Sequence, residues 1–195
     1  MLNNKKIILA SASPRRRELL AGLDLEFSVE PLKDEKEAYS IDLPWKKVPE
    51  FIAKHKSESF HRNLEDNEIL ITADTLVFLP RCGKMEILSK PKSREEALEM
   101  ISELSGNIHH VLTGVCVKSV DKTIIFTDST EVEISSLSQD EISYYVDKYK
   151  PYDKAGAYGV QEWLGYAAIG NIKGSFYNVM GLPVQKLYEA LKLFS

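Results

Sequence analysis

Three consecutive arginines follow the first apolar run of the chain, in the segment ILASASPRRRELL (residues 8–20). The Ser-Pro pair before them is typical of a helix start. A helix N-terminus attracts anions, and arginine donates hydrogen bonds in a fork that matches phosphate. Ser11 and Ser13 can add hydroxyl donors. Successive helical residues lie ~100° apart, so at most two arginines face one ligand. The segment indicates either a phosphate-binding turn or a capped helix with a solvated basic face.

A carboxylate lies inside an apolar run at ITADTLV, where Asp74 is followed by Thr75. Burying a carboxylate is costly unless it is paired, hydrogen-bonded or bound to a metal. Polar residues at strand ends are also common positions for sites in α/β proteins. Asp74 is therefore either a functional carboxylate or an aspartate at a turn or sheet edge. We expect the Asp74-Thr75 pair to interrupt the strand predicted over residues 68–78.

Other polar segments carry weaker signals. The acidic segment PLKDEKEAYS (residues 31–40) is typical of a solvated loop, and solvent exposure is the default expectation for Lys56 and Lys90. Lys90 differs in preceding a proline, which fixes the local backbone. The segment DKAGAYGVQ (residues 153–161) combines small residues, which allow close backbone approach, with polar groups that include Gln161.

Strand-like and helix-like segments alternate along the chain, and two long strands are adjacent in its middle. Period-2 patterns predict strands at residues 109–120 and 123–135, joined by a turn, and 3.6-residue patterns predict helices at residues 93–104 and 139–149. This order favours a mixed α/β sheet flanked by helices over a purely parallel one. Without a convincing linker or repeat, residues 1–195 are predicted to form one domain.

Composition excludes some classes of protein. The 195 residues are 44% hydrophobic and 28% charged, with a net charge of −4, which argues against a general nucleic-acid binder. The sequence contains neither an apolar run near the ~20 residues of a membrane span nor a signal-peptide core. Two cysteines outside any metal-ligand spacing predict free thiols, and a cytoplasmic location is expected.

Six segments, taken together and in order, resemble the Maf family of nucleoside triphosphate pyrophosphatases. They are LASASPRRRELL, ADTLV, the Lys90-Pro91 pair, LSGNIHHVLTGV, DKAGAYGVQ and IKGSFYNVMGLPVQKL. The resemblance implies a two-lobed mixed α/β fold with a cleft, similar to inosine triphosphate pyrophosphatases. It also implies hydrolysis of a nucleoside triphosphate to monophosphate and pyrophosphate with Mg²⁺ or Mn²⁺, and it suggests a homodimer. Composition, as described above, predicts neither nucleic-acid nor membrane partners.

The resemblance assigns catalytic roles to several charged residues. The family's proton acceptor matches Asp74, and two catalytic lysines match Lys56 and Lys90. A carboxylate from the early loop matches Glu37 when the following helix is aligned, with Glu35 as an alternative. Asp74 and Glu37 would together hold the metal ion.

The resemblance also assigns residues to phosphate binding and to base selectivity. Ser11, Arg15 and Arg16 match the phosphate-binding positions, whereas Arg15, Thr75 and Gln161 match positions linked to the choice of base. The YGVQ sequence resembles the branch that prefers dTTP and UTP rather than 7-methyl-GTP. Two alternatives remain: a house-cleaning pyrophosphatase for other non-standard nucleotides, and a nucleotide-binding regulator of septum formation.

Overall fold

The computed structural model describes residues 5–32 and 43–194. Its helices and strands alternate along the chain, as the sequence predicts. The helices are α1 (Pro14–Ala21), α2 (Val48–Glu58), α3 (Arg94–Leu104), α4 (Gln139–Tyr149), α5 (Trp163–Ala168), α6 (Phe176–Met180) and α7 (Val184–Lys192). The strands are β1 (Lys6–Leu9), β2 (Phe27–Val29), β3 (Glu68–Arg81), β4 (Lys84–Leu88), β5 (Ile108–Lys118), β6 (Thr123–Ile134) and β7 (Ile169–Lys173).

The seven strands form one mixed sheet in the order β2-β1-β3-β5-β6-β7, with β4 paired to β3. Strand β1 pairs in parallel with both β2 and β3, whereas β3–β4 and β6–β7 are antiparallel. The predicted mixed α/β fold with flanking helices is thus confirmed. No helix in the described part of the chain is long and apolar enough to cross a membrane.

The chain divides into two compact units. The first comprises the described parts of Met1–Thr75, Thr113–Asp128 and Gly181–Ser195, and the second comprises Leu76–Leu112 and Ser129–Met180. A small apolar cluster of Ile8, Ala10 and Leu70 packs inside the first unit. The second unit has its own core, in which α3 and α4 bury Ile101 and Tyr145.

Helix α2 lies directly on the sheet within the first unit. The Thr72 hydroxyl on β3 donates to the carbonyl oxygen of Ala53 at 2.6 Å. Gly114 on β5 approaches so closely that an added Cβ would lie 2.1 Å from the carbonyl carbon of Pro49. Further along the helix, the Cys116 thiol donates to the Ser57 hydroxyl at 3.3 Å. These contacts fix α2 along its length, and with it every side chain that α2 presents to the sheet.

The expected interruption of β3 at Asp74 is wrong, because the strand runs unbroken from Glu68 to Arg81. Both polar side chains of the Asp74-Thr75 pair are bonded to groups from other elements. The Gly-rich segment at residues 153–161 is followed by the short helix α5, which starts at Trp163. The helices predicted at residues 93–104 and 139–149 are α3 and α4, and their N-caps are Ser93 and Ser138.

Replacing Gly114 by alanine should destabilise the fold by at least about 3 kcal/mol, since the new methyl group would overlap backbone atoms that cannot rotate away. Urea unfolding followed by circular dichroism measures the loss. Gly170→Ala is the matched control on β7, where the nearest atom to an added Cβ is 3.5 Å away, and should change stability by about 0.5 kcal/mol or less. Equal stability of the two variants would contradict the close approach of α2 to β5.

Candidate active site

The turn between β1 and α1 is organised by two serine hydroxyls. Ser13 is the N-cap of α1, and its Oγ accepts from the N–H of Arg16 at 3.5 Å. The Oγ of Ser11 accepts from the N–H of Ser13 at 3.2 Å and from Nη1 of Arg16 at 3.5 Å. Ser11 is buried and accepts both bonds, so its own hydroxyl proton is left to act as a donor.

Arg16 is held in place by residues far along the sequence. Its Nε donates to the carbonyl oxygen of Gly181 at 2.9 Å, and its Nη2 donates to Oγ1 of Thr75 at 3.1 Å. Arg15 is half-buried beside it, whereas Arg17 is exposed. The structure therefore brings Ser11, Arg16 and Thr75 together, and of the three arginines it leaves one pointing to solvent.

Asp74 and Lys56 form a buried ion pair. The Nζ of Lys56 lies 2.8 Å from Oδ1 of Asp74, and the two residues are 6% and 4% exposed. Solvent exposure, the default expectation for Lys56, is thus wrong. The ammonium compensates the charge of a carboxylate that would otherwise be very costly to bury. Lys56 reaches Asp74 because the contacts described above fix α2 against β3.

Adjacent residues of β3 contact different helices. Alternate side chains of a strand point to opposite faces of the sheet. Asp74 accordingly bonds Lys56 of α2, whereas Thr75 bonds Arg16 of α1. The polar pair in the middle of β3 thus serves two separate groups of side chains.

Thr113 on β5 is a buried member of this cluster that the sequence analysis missed. Its hydroxyl lies 3.0 Å from that of Thr75, and the residue is fully buried. A polar residue inside the apolar run VLTGV is the same signal that singled out Asp74, and it could have identified Thr113.

Lys90 and Gln161 belong to the second unit. Lys90 is exposed and lies two residues after the end of β4. The carbonyl oxygen of the preceding residue, Ser89, accepts from the N–H of Gly156 at 3.3 Å. This bond joins the Lys-Pro segment to the Gly-rich segment that carries Gln161. Gln161 is half-buried, and its Oε1 is a buried atom that makes no hydrogen bond within the described residues.

His109 and Tyr158 form a buried pair beneath the same Gly-rich segment. The Nε2 of His109 lies 2.7 Å from the hydroxyl of Tyr158, with the rings packed edge to face. Burial and, to a lesser extent, the neighbouring His110 together lower the pKa of His109 to about 3. The imidazole is therefore neutral in the folded protein at ordinary pH.

The proposed loop carboxylate, Glu37, and its alternative, Glu35, lie outside the described residues. Within residues 5–32 and 43–194, no three His, Cys, Asp or Glu side chains are grouped to hold a metal ion. Both cysteines, Cys82 and Cys116, are free thiols, as predicted.

Lys56→Met should reduce the free energy of unfolding by about 3–5 kcal/mol, because it removes the ammonium beside a buried carboxylate. The double variant Lys56→Met/Asp74→Asn should be more stable than Lys56→Met, since both charges of the pair are then removed. Urea unfolding of both single variants and the double variant gives the coupling energy. Simple additivity of the two single effects would contradict the ion pair.

The His109 pKa makes stability depend on pH. The unfolded chain binds a proton near pH 6.5, whereas the folded protein binds it only near pH 3. The contribution of His109 to stability is therefore lost as pH falls through this window, by at most about 1.4 kcal/mol per pH unit. Between pH 7 and pH 5, the stability difference between wild type and His109→Gln should shrink by about 2 kcal/mol in denaturant titrations. If the stabilities of wild type and His109→Gln changed equally with pH, the result would be inconsistent with a buried neutral imidazole.

Comparisons with known proteins show which family the chain is similar to. A family model described as Maf-like protein matches residues 6–194. A dTTP/UTP pyrophosphatase from Bacteroides thetaiotaomicron is 51% identical over 98% of this chain and 97% of its own length, and one from Parabacteroides distasonis is 49% identical over 99% and 98%.

Among solved structures, a HAM1 protein from Coxiella burnetii has a similar fold, with a TM-score of 0.51 and 15% identity over 97% of this chain and 99% of that one. The family match over nearly the whole chain confirms the resemblance on which the site assignment rests. The chain belongs to the Maf family.

Proposed function

We propose that this protein is a nucleoside triphosphate pyrophosphatase that hydrolyses dTTP and UTP to the monophosphate and pyrophosphate. The observation that carries the proposal is the buried Lys56–Asp74 pair, a carboxylate kept in an apolar strand at a considerable cost in desolvation. The names of the relatives in Bacteroides and Parabacteroides support the choice of substrate.

Asp74 is proposed as the general base. It orients a water molecule toward the α-phosphorus and accepts the proton of that water. The new oxygen–phosphorus bond forms as the bond to the pyrophosphate oxygen breaks. Lys56, 2.8 Å from Oδ1, holds the carboxylate in a single orientation. A well-placed general base contributes about 10²–10⁴-fold to the rate.

The turn at the start of α1 is proposed to bind the triphosphate. Ser11 has a hydroxyl proton to donate, and Arg15 and Arg16 carry guanidinium groups on the first turn of the helix. The bonds from Arg16 to Gly181 and Thr75 fix its plane before a ligand arrives. Preorganised donors of this kind stabilise charge that develops during phosphoryl transfer. The family resemblance gives a catalytic role to the exposed Lys90 as well.

A divalent cation suits the carboxylates of the proposed site. Mg²⁺ is commonly held by one or two carboxylates together with substrate phosphates, without a cage of protein ligands. The buried carboxylate of Asp74 meets this requirement, and the described residues contain no such cage. Asp74 would hold the cation, with Glu37 as the second carboxylate. When bound, Mg²⁺ or Mn²⁺ neutralises charge on the phosphates.

Gln161 is proposed to recognise the base, and the family resemblance links Thr75 and Arg15 to base selectivity as well. A glutamine amide donates through its NH₂ group and accepts through its oxygen. Uracil and thymine offer a complementary N3–H donor and O4 acceptor. The Oε1 of Gln161 makes no hydrogen bond to the described residues, so its capacity to accept is not used within them. When the wrong base leaves such a group without a hydrogen bond, the site discriminates strongly against that base.

Asp74→Asn should retain nucleotide binding and lose at least about 10²-fold in turnover of dTTP and UTP. The measurement is release of pyrophosphate and monophosphate from a panel of standard, deaminated and methylated triphosphates with Mg²⁺ or Mn²⁺. Asp128→Asn is the matched control, since Asp128 also pairs with a lysine, Lys186, at 2.6 Å in the same unit. It should keep near-normal turnover.

Other outcomes of this panel separate the alternatives. Near-normal turnover by Asp74→Asn would remove Asp74 from the mechanism. A preference for ITP, XTP or 7-methyl-GTP would keep the reaction and overturn the role of Gln161. Binding without turnover of any triphosphate by the wild type would favour a nucleotide-binding regulator.

A further inference from the structure

Gln161 lies in a tight turn within the second unit. The N–H of Glu162 donates to the carbonyl oxygen of Gly159 at 3.0 Å, which closes the four residues 159–162 into a β-turn. Gln161 is the third residue of that turn. The direction of its side chain therefore depends on how the two ends of the turn, Gly159 and Glu162, are held.

One tyrosine hydroxyl bonds both ends of this turn. Tyr145 of α4 is fully buried, and its hydroxyl accepts from the N–H of Gly159 at 2.9 Å. The same hydroxyl donates to Oε2 of Glu162. Burial and the Glu162 carboxylate both raise the pKa of Tyr145, so the hydroxyl keeps its proton and both bonds persist at ordinary pH.

Lys154 completes the network on the other oxygen of Glu162. Its Nζ lies 3.0 Å from Oε1 of Glu162 and 2.8 Å from Oδ1 of Asp153, and the residue is 8% exposed. Both carboxylate oxygens of Glu162 are thus bonded. A carboxylate whose two oxygens are both bonded in this way stabilises the local structure rather than accepting a proton.

Close packing leaves the turn little room to shift. A Cβ added to Gly159 would lie 2.8 Å from Cδ of Glu162, and one added to Gly165 would lie 1.8 Å from the carbonyl oxygen of Val160. Helix α5, which begins directly after Glu162, is therefore in backbone contact with the middle of the turn.

We propose that Tyr145, Glu162 and Lys154 are positioning residues for base selection, which fix the turn that presents Gln161. The inference rests on the proposed role of Gln161 in recognising the pyrimidine. Because a misplacement of about 1 Å at a functional group can cost about 10²-fold, loosening the turn should relax selectivity without removing the catalytic groups, which lie on other segments.

The test compares Tyr145→Phe with the wild type and with Gln161→Ala, using UTP, dTTP, CTP and ATP as substrates. Tyr145→Phe removes only the hydroxyl. Its kcat/KM for UTP and dTTP should fall about 10- to 100-fold, mainly through KM. Its selectivity for UTP over CTP should fall toward that of Gln161→Ala. Tyr144→Phe, on the same helix, removes an exposed hydroxyl that accepts from Lys148 and should leave both quantities unchanged.

Because Tyr145 is fully buried, Glu162→Gln provides a second variant that keeps an acceptor for the tyrosine but removes the charge beside Lys154. It should relax selectivity in the same direction. Amide hydrogen exchange at Gly159 should also accelerate in Tyr145→Phe, a readout independent of turnover.

A uniform loss of kcat for every base, with selectivity intact, would overturn the positioning role. Relaxed selectivity in Gln161→Ala but not in Tyr145→Phe or Glu162→Gln would overturn this inference alone. A wild type that does not discriminate pyrimidines, or a Gln161→Ala variant that discriminates as well as the wild type, would overturn the proposed recognition of the base and this inference with it.

Discussion

The buried charge of Asp74 is the constraint on which the first unit depends. A carboxylate in the middle of an apolar strand is costly unless its charge is compensated, and Lys56 supplies a counter-charge at 2.8 Å. A lysine side chain is long and loses much conformational freedom when buried, so the helix that carries it must be fixed. The Thr72–Ala53 hydrogen bond and the backbone approach at Gly114 fix α2 in this way.

The second unit also contains a buried carboxylate–lysine pair, but this pair has a different structural role. Glu162 also pairs with a buried lysine, Lys154, but a tyrosine hydroxyl occupies its other oxygen. Lys154 and Glu162 lie close in sequence, whereas Lys56 and Asp74 belong to a helix and a separate strand. The Lys154–Glu162 pair shapes a local turn, whereas the Lys56–Asp74 pair joins two elements that are distant in sequence. The structural role of a buried carboxylate–lysine pair therefore depends on which elements it connects.

Sequence patterns predicted the elements better than the contacts between them. The capped helices α3 and α4 and the two long strands β5 and β6 follow from hydrophobic periodicity and capping serines, which are local signals. The continuity of β3 through Asp74 could not be predicted, because the groups that satisfy its polar pair come from other elements.

The same reason limited prediction of the site. Residue types indicated Asp74 and the arginines, and the family resemblance added Lys56, Lys90 and Gln161. Neither source indicated that Thr113 bonds Thr75, or that Tyr145 bonds the turn that holds Gln161. These are side-chain contacts between separate elements, and they depend on the sheet and helices being packed. The role of Glu37 stays a prediction.

The bond between Arg16 and Gly181 has a consequence for synthesis of the protein. The two residues are 165 positions apart, and a ribosome adds about 5–20 residues per second. The arginine-rich turn therefore emerges roughly 10–30 s before the carbonyl group that completes its geometry. During this interval the nascent chain carries a basic segment without its final partner. Competence to hold a triphosphate in the proposed manner is thus acquired late in translation, although the residues that bind it are among the first to be made.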